Sequence, residues 1–209
     1  MNRLITFGCS HTAGYSLPDR DKQVWGKIVS DHFKRNFVNQ GIHGASNKLI
    51  CHQIKNFNFL PDDLVIILWT YKDRYTKFLQ KDSFEGFNPT HTHPGDLAKI
   101  YFKYLHSDYD ADFINKIFIN YTLYSLIERK VKFYFAGITL DYLNECTENS
   151  SFNLPVDFHY YNLRYIISES DNHMGVQGNI AFGNQIAKEI LKLENKNIEG
   201  FKPISYNPI

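Results

Sequence analysis

The chain has 209 residues, 43% of them hydrophobic, enough to bury a sizeable core in one domain. Lys and Arg number 23 against 22 Asp and Glu, and the formal net charge of +1 comes with no basic block or acidic tail. That balance argues against a nucleic-acid-coating surface. The opening MNRLITFGCS lacks an apolar run of signal-peptide length, and no window reaches membrane-spanning length. A cytoplasmic protein with no membrane partner is expected. Three widely spaced cysteines, Cys9, Cys51 and Cys146, form no metal-ligand spacing, and their odd number fits a reducing compartment.

In chain order, Leu4–Phe7 reads as a short buried strand ended by Gly8. Residues 22–34 place Val24, Trp25, Ile28, Val29 and Phe33 at helical spacing. NFVNQG at 36–41 predicts a second strand. Ser46 is a candidate N-cap for a helix with Leu49, Ile50, Ile54 and Phe57 on its apolar face. LVIILWT at 64–70 is continuously apolar, as a central parallel strand buried on both faces would be. Residues 75–95 read as a polar loop, and 96–129 as one long helix or two shorter ones. VKFYFAGI at 131–138 predicts another buried strand. No pattern assigns 139–170, and Ile180, Ile186, Ile190 and Leu193 mark a terminal helix from about Val176.

Strands alternating with helices imply βαβ units. The expected fold is α/β: a three-layer α/β/α domain on a central, mostly parallel sheet, spanning 1–209 with a loop and helix insertion around 75–129. Ligands of such sheets sit beyond the carboxyl ends of the strands. Ser10, the GIHGASN loop and TYKDR then share one rim.

A serine on a turn behind a buried strand is a poor nucleophile until a base takes its proton. The base needs an orienting group, and the oxyanion needs aimed N–H donors. Among nine histidines, His173 stands apart: Asp171 lies two residues before it and the terminal helix begins just after. A loop into that helix would deliver His173 to the rim of Ser10.

These residues match a family in widely separated short blocks over nearly the whole chain. Gly8-Cys9-Ser10-His11-Thr12-Ala13-Gly14 resembles the G-D-S-x-T-x-G block of the SGNH (GDSL-type) hydrolases. NQGIHGASN, from Asn39, resembles their second block, and DNHMGVQG their last. The resemblance implies a flavodoxin-like sheet and an acyl-enzyme on Ser10. It implies that His173 is the base, Asp171 its orienter, and the N–H groups of Ser10 and Gly44 the oxyanion donors, with Gly41 as the alternative to Gly44.

Two blocks depart from that pattern. Where the family ends its third strand with G-x-N-D, this chain has LWTYKDR, with no asparagine. Thr70, Lys72 or Arg74 would replace the missing donor, or the oxyanion hole is weaker. Losing one such donor costs roughly 2.7–4 kcal/mol in other serine enzymes. A cation there would also select an anionic substrate, and arginine suits planar carboxylate or phosphate. Near the base, the family often has Asp three residues before His. Ser170 stands at that position here, so either Asp171 or a backbone carbonyl orients His173. Cys9 replaces the family's Asp and reads as a small packing residue, with a thiol nucleophile as the remote alternative.

The implied function is a serine hydrolase cleaving an ester or acetyl ester, on a small molecule or a saccharide, with no cofactor and no nucleic-acid partner. An O-acyltransferase with the same triad is one alternative; a non-catalytic ligand-binding module is another. His91, His93 and Asp96 have a spacing that a metal could use, but alternating loop histidines are usually solvated, and no metal is expected. His11 has a lesser claim as a substrate contact.

Overall fold

The structure, a computed structural model, describes residues 2–80, 83–87, 96–195 and 203–204. The chain runs β1 (Arg3–Gly8), α1 (Ser10–Ala13), α2 (Arg20–Gln23), α3 (Trp25–Phe33), β2 (Asn36–Gly41), α4 (Asn47–Asn56) and β3 (Leu64–Trp69). Next come β4 (Tyr75–Gln80), β5 (Ser83–Phe87), α5 (Asp96–Ile100), a π-helical turn (Tyr101–Leu105) and α6 (Asp108–Glu128). It ends with β6 (Lys132–Gly137), α7 (Leu140–Cys146), β7 (Asn153–Asp157), α8 (Phe158–Arg164) and α9 (Val176–Leu193).

Five strands form one parallel sheet in the order β2-β1-β3-β6-β7. This is the flavodoxin-like order, and the sheet is the expected α/β sandwich. The chain first moves outward from β1 to β2, then crosses back to β3, so the direction of winding reverses between β1 and β3. Ligand crevices open beyond the carboxyl ends of the strands at such a reversal.

Alternation along the strands builds two cores. Leu4, Leu64, Ile66 and Leu68 face α3 and α9, against Trp25, Val29, Phe182 and Ile186. Ile5, Phe7, Val65, Ile67 and Trp69 face α4 and α6, against Ile50, Ile54, Ile119 and Leu123. Each such side chain, fully buried, contributes about 1.5–3 kcal/mol. Ser46 caps α4 as its sequence implies, its hydroxyl accepting the Leu49 N–H at 3.4 Å. Cys9, Cys51 and Cys146 are free thiols, all buried.

The structure departs from the local patterns in three places. The helix expected over 22–34 is broken at Val24, whose extended backbone (φ −70°, ψ 143°) separates α2 from α3. The Trp25 N–H just after the break is taken by Asn179 of α9 at 3.1 Å. Part of the 75–95 segment is an antiparallel hairpin, β4–β5, rather than loop. It is anchored by buried Thr76, whose hydroxyl pairs with that of Ser46 at 2.7 Å. Residues 88–95 lie outside the described residues. The unassigned 139–170 hold α7, β7 and α8. Strand β7 is an edge strand carrying Pro155 with a register shift, which hides its alternation. Among the described residues, no helix is long and apolar enough to cross a membrane.

Candidate active site

Strand β1 passes from Gly8 through Cys9 straight into α1, so Ser10 opens a helix at the carboxyl end of the sheet. The Cys9 carbonyl accepts the N–H groups of Thr12 and Ala13. Those bonds leave the Ser10 N–H pointing out of the helix start, as first-turn amides do. Ser10 is 2% exposed. The β2 end packs directly against this helix: a Cβ on Gly41 would lie 2.3 Å from the Ala13 nitrogen. Asn39 ties the two together, donating to the Thr12 carbonyl at 2.9 Å while its Oδ1 accepts the Gly41 N–H at 2.9 Å.

The chain then turns at Gly44, whose φ of +72° favours glycine. Among the described residues, nothing lies within 4 Å of where its Cβ would be. Among the described residues no acceptor takes the Gly44 N–H. From the hairpin side, Gly86 approaches closely enough that a Cβ there would stand 3.2 Å from the Gly44 carbonyl oxygen.

His173 comes from the loop before α9. Ile166 and Met174 form a β-bridge, Ile167 donates to the His173 carbonyl at 3.0 Å, and Gly175 donates to Tyr165 at 2.8 Å. This closed loop brings Asp171 onto His173: Oδ1 lies 2.7 Å from Nδ1 and 3.1 Å from the His173 backbone nitrogen. Asp171 is held below the ordinary carboxylate value, first by a hydrogen bond from the Ser16 hydroxyl and then by those from His173. The His173 ring sits 4.9 Å from the rings of His11 and Tyr15, and Tyr15 stacks on His43 at 4.4 Å. His11 directly follows Ser10, so His173 and Ser10 share one end of the sheet. Among the described residues, no hydrogen bond joins the Ser10 hydroxyl to His173.

His11 lies on the inner side of this ring cluster, 4.6 Å from Phe158. Its pKa is lowered to about 3 by burial, and further by the charges of His173 and Arg74. It is a neutral imidazole, and its Nδ1 has no partner among the described residues.

The TYKDR turn behaves residue by residue. The Thr70 backbone is clamped by Asn47, which accepts its N–H at 2.8 Å and donates to its carbonyl at 3.1 Å. Thr70 Oγ1 is buried without a partner among the described residues. Lys72 is engaged away from Ser10, by Asp112 at 3.2 Å and Asp108 at 3.6 Å on α6. Arg74 stays at the rim, its Cζ 5.3 Å from the Tyr71 ring and its Nη1 3.5 Å from the Ala45 carbonyl, next to Gly44.

Among the described residues, Asp73, His106 and Asp108 offer donor atoms within 4.8 Å of one another. The Lys72 ammonium already neutralises Asp108 there. His91, His93 and the Asp96 side chain lie outside the described residues. The sequence patterns did not single out Tyr15, Ser16, His43 or Asn47. His43 and Asn47 lie inside NQGIHGASN without a role of their own there, and Tyr15 and Ser16 follow the Ser10 block and carry no motif.

No family model and no curated protein matches this sequence. Solved structures do. A lipolytic protein of the G-D-S-L family from Desulfitobacterium hafniense DCB-2 is similar at a TM-score of 0.54 and 13% identity, over 90% of this chain and 98% of that one. A second member from Veillonella parvula DSM 2008 is similar at 0.53 and 14%, over 94% and 100%. An acetylxylan esterase from Geobacillus stearothermophilus is similar at 0.55 and 13%, over 98% and 97%. At these identities the likeness is one of fold: this chain has the fold of the SGNH/GDSL hydrolases.

Proposed function

We propose that this protein is a serine esterase of the SGNH/GDSL type, acting through Ser10, His173 and Asp171. The observation that carries the reading is the Asp171–His173 pair, brought by the loop before α9 to the sheet end where Ser10 opens α1. A carboxylate can only accept, so the His173 Nδ1 it meets carries the proton. The lone pair is then on Nε2, the nitrogen a general base would turn toward the serine.

In this mechanism Ser10 Oγ attacks the ester carbonyl as His173 Nε2 takes its proton. The oxyanion is received by the N–H groups of Ser10 and Gly44, with Thr70 and Arg74 contacting the substrate. Collapse expels the alcohol, which takes the proton back from His173. Water, activated by the same imidazole, then releases the acid and frees Ser10. Asp171 orients the ring and stabilises the imidazolium. The acetylxylan esterase fold likeness supports an acyl ester on a saccharide as one substrate class.

Labelling with a fluorophosphonate probe tests the reading. Wild-type protein is expected to label, and Ser10→Ala and His173→Ala to lose the label. Folded wild-type protein that neither labels nor cleaves 4-nitrophenyl acetate would overturn it. That result would favour the second reading, a ligand-binding module on the same scaffold. The missing Ser10–His173 hydrogen bond among the described residues favours this alternative. Catalytic hydrogen bonds often tighten only with substrate in place.

A further inference from the structure

We propose that Arg74 forms an anion subsite beside Ser10, and that the esters this site prefers carry a carboxylate. The inference rests on the esterase reading for its substrate and on Arg74 itself for its charge. Arg74 is half-buried, and among the described residues no carboxylate lies within ion-pair distance of it. Its neighbours in the turn lie against other groups. Lys72 is held by Asp112 and Asp108, and Asp73 faces His106 Nε2 at 3.4 Å.

A guanidinium has five N–H donors in a planar fork. Here Nε is buried with no partner among the described residues, and Nη1 makes one long contact to the Ala45 carbonyl. Tyr71 supports the plane from one side. The group is therefore held next to the Gly44 turn with most of its donors unspent among the described residues. Its charge also reaches His11, the residue after Ser10. Buried Thr70 Oγ1, at the start of the same turn, is a further polar atom with no partner among the described residues. Taking a cation partly out of water without a counter-charge is unfavourable, and a bound anion removes that penalty. The planar fork matches the two coplanar oxygens of a carboxylate.

Two matched pairs of esters test this: mono-4-nitrophenyl succinate against 4-nitrophenyl pentanoate, and 4-acetoxybenzoate against its methyl ester. Wild-type protein is expected to favour the charged member of at least one pair by about tenfold or more in kcat/KM. Arg74→Gln should bring that ratio close to one. Arg74→Lys, which keeps the charge and loses the fork, should fall between. Equal turnover of charged and neutral members by wild type, or an equal loss on both in Arg74→Gln, would overturn the subsite. A second arm, calorimetric titration of benzoate into Ser10→Ala and Ser10→Ala/Arg74→Gln, needs no turnover. Benzoate binding that depends on Arg74 in a protein that cleaves no ester would keep the subsite and remove the esterase reading. Ester cleavage with no charge preference and no benzoate binding would do the reverse.

A different observation carries a second inference. Helix α6 is apolar on both faces, a pattern that belongs to helices buried all round. Its inner face holds Ile119, Leu123 and Leu126. Its outer face exposes Tyr109, Phe113, Ile117, Tyr121, Tyr124 and Ile127, between 43% and 79% each. At spacings of three and four these form one stripe, roughly 27 Å long. Residues 117–127 contain no charged side chain, and interface centres are poor in charge and rich in tyrosine. We infer that this stripe packs on the same stripe of a second copy about a twofold axis. The stripe offers roughly 700 Å² per copy, close to the ~800 Å² per partner of a stable interface.

Sedimentation equilibrium should show a dimer for wild type and a monomer for Ile117→Glu/Tyr121→Lys, with unchanged circular dichroism. A wild-type monomer at the highest soluble concentration would overturn the inference. So would a dimer that survives the double substitution.

Discussion

One oxygen of Asp171 engages His173 twice, at the ring Nδ1 (2.7 Å) and at the backbone nitrogen (3.1 Å). The two-residue spacing is what allows this. A carboxylate two positions upstream can fold back over its own loop and bond main chain and side chain together, as Asx turns do. The ring is thereby fixed to the backbone that carries it.

Asp171→Asn should lower kcat by roughly 10²- to 10⁴-fold with little change in KM, because the amide no longer enforces the Nδ1–H tautomer. A loss below about threefold would mean that His173 works in a dyad without it. Asp171 is already held below the ordinary carboxylate value. Its stabilising contribution is present above its unfolded pKa of about 3.9 and fades only as pH falls through the lower folded value.

His11 gives stability a pH dependence of its own. Its folded pKa is lowered to about 3 by burial first. Between that value and an unfolded pKa of about 6.5, only the unfolded chain takes up this proton, so stability falls as pH falls through the window. The slope for one proton is about 1.4 kcal/mol per pH unit. In urea melts from pH 7 to pH 4, His11→Leu should show a shallower decline than wild type by about that slope. Parallel profiles for the two proteins would show that His11 does not set the dependence.

Asn47 clamps the end of β3 and is itself met by Asn115 of α6 at 2.8 Å. Asn47→Leu leaves the Thr70 N–H and carbonyl without their partner. A buried polar group left unsatisfied costs about 1–3 kcal/mol, so a total loss of roughly 2–5 kcal/mol is expected. The urea midpoint reads it directly, and a shift corresponding to less than about 1 kcal/mol would mean that water or another group replaces the clamp.

Gly41→Ala tests the contact between β2 and the serine helix. The added Cβ would stand 2.3 Å from a backbone nitrogen, which cannot yield as a side-chain tip can. Overpacking of this kind costs about 1–3 kcal/mol. The larger expectation is slower fluorophosphonate labelling of Ser10, since α1 must shift. Unaltered stability and labelling would show that the two elements separate without penalty.

The apolar runs 64–70 and 131–138 had only one stable destination, a central strand covered on both faces, and they read as such without coordinates. The turn residues around Ser10 and the Ser46 cap were legible for the same reason: their chemistry is local. Helical spacing marked α9 almost to the residue. The break at Val24 could not be read, because a bond from Asn179 of a distant helix takes the amide that follows it. Edge strand β7 was hidden by its proline and its irregular register.

The candidate site divides the same way. The sequence by itself determined which residue types are present: a serine on a strand–helix turn, a histidine near an aspartate, and a cluster of charges after β3. Which of those charges remains available was decided only by tertiary structure. Lys72 finds a partner on α6, far along the chain, and Asp73 lies near His106 on the turn before it, while Arg74 stacks on Tyr71 beside the Gly44 turn. The ring cluster of His11, Tyr15, His43 and His173 is likewise a product of chain crossing. Burial and long-range pairing set the charge state and freedom of a polar side chain, and neither is encoded in its immediate neighbours.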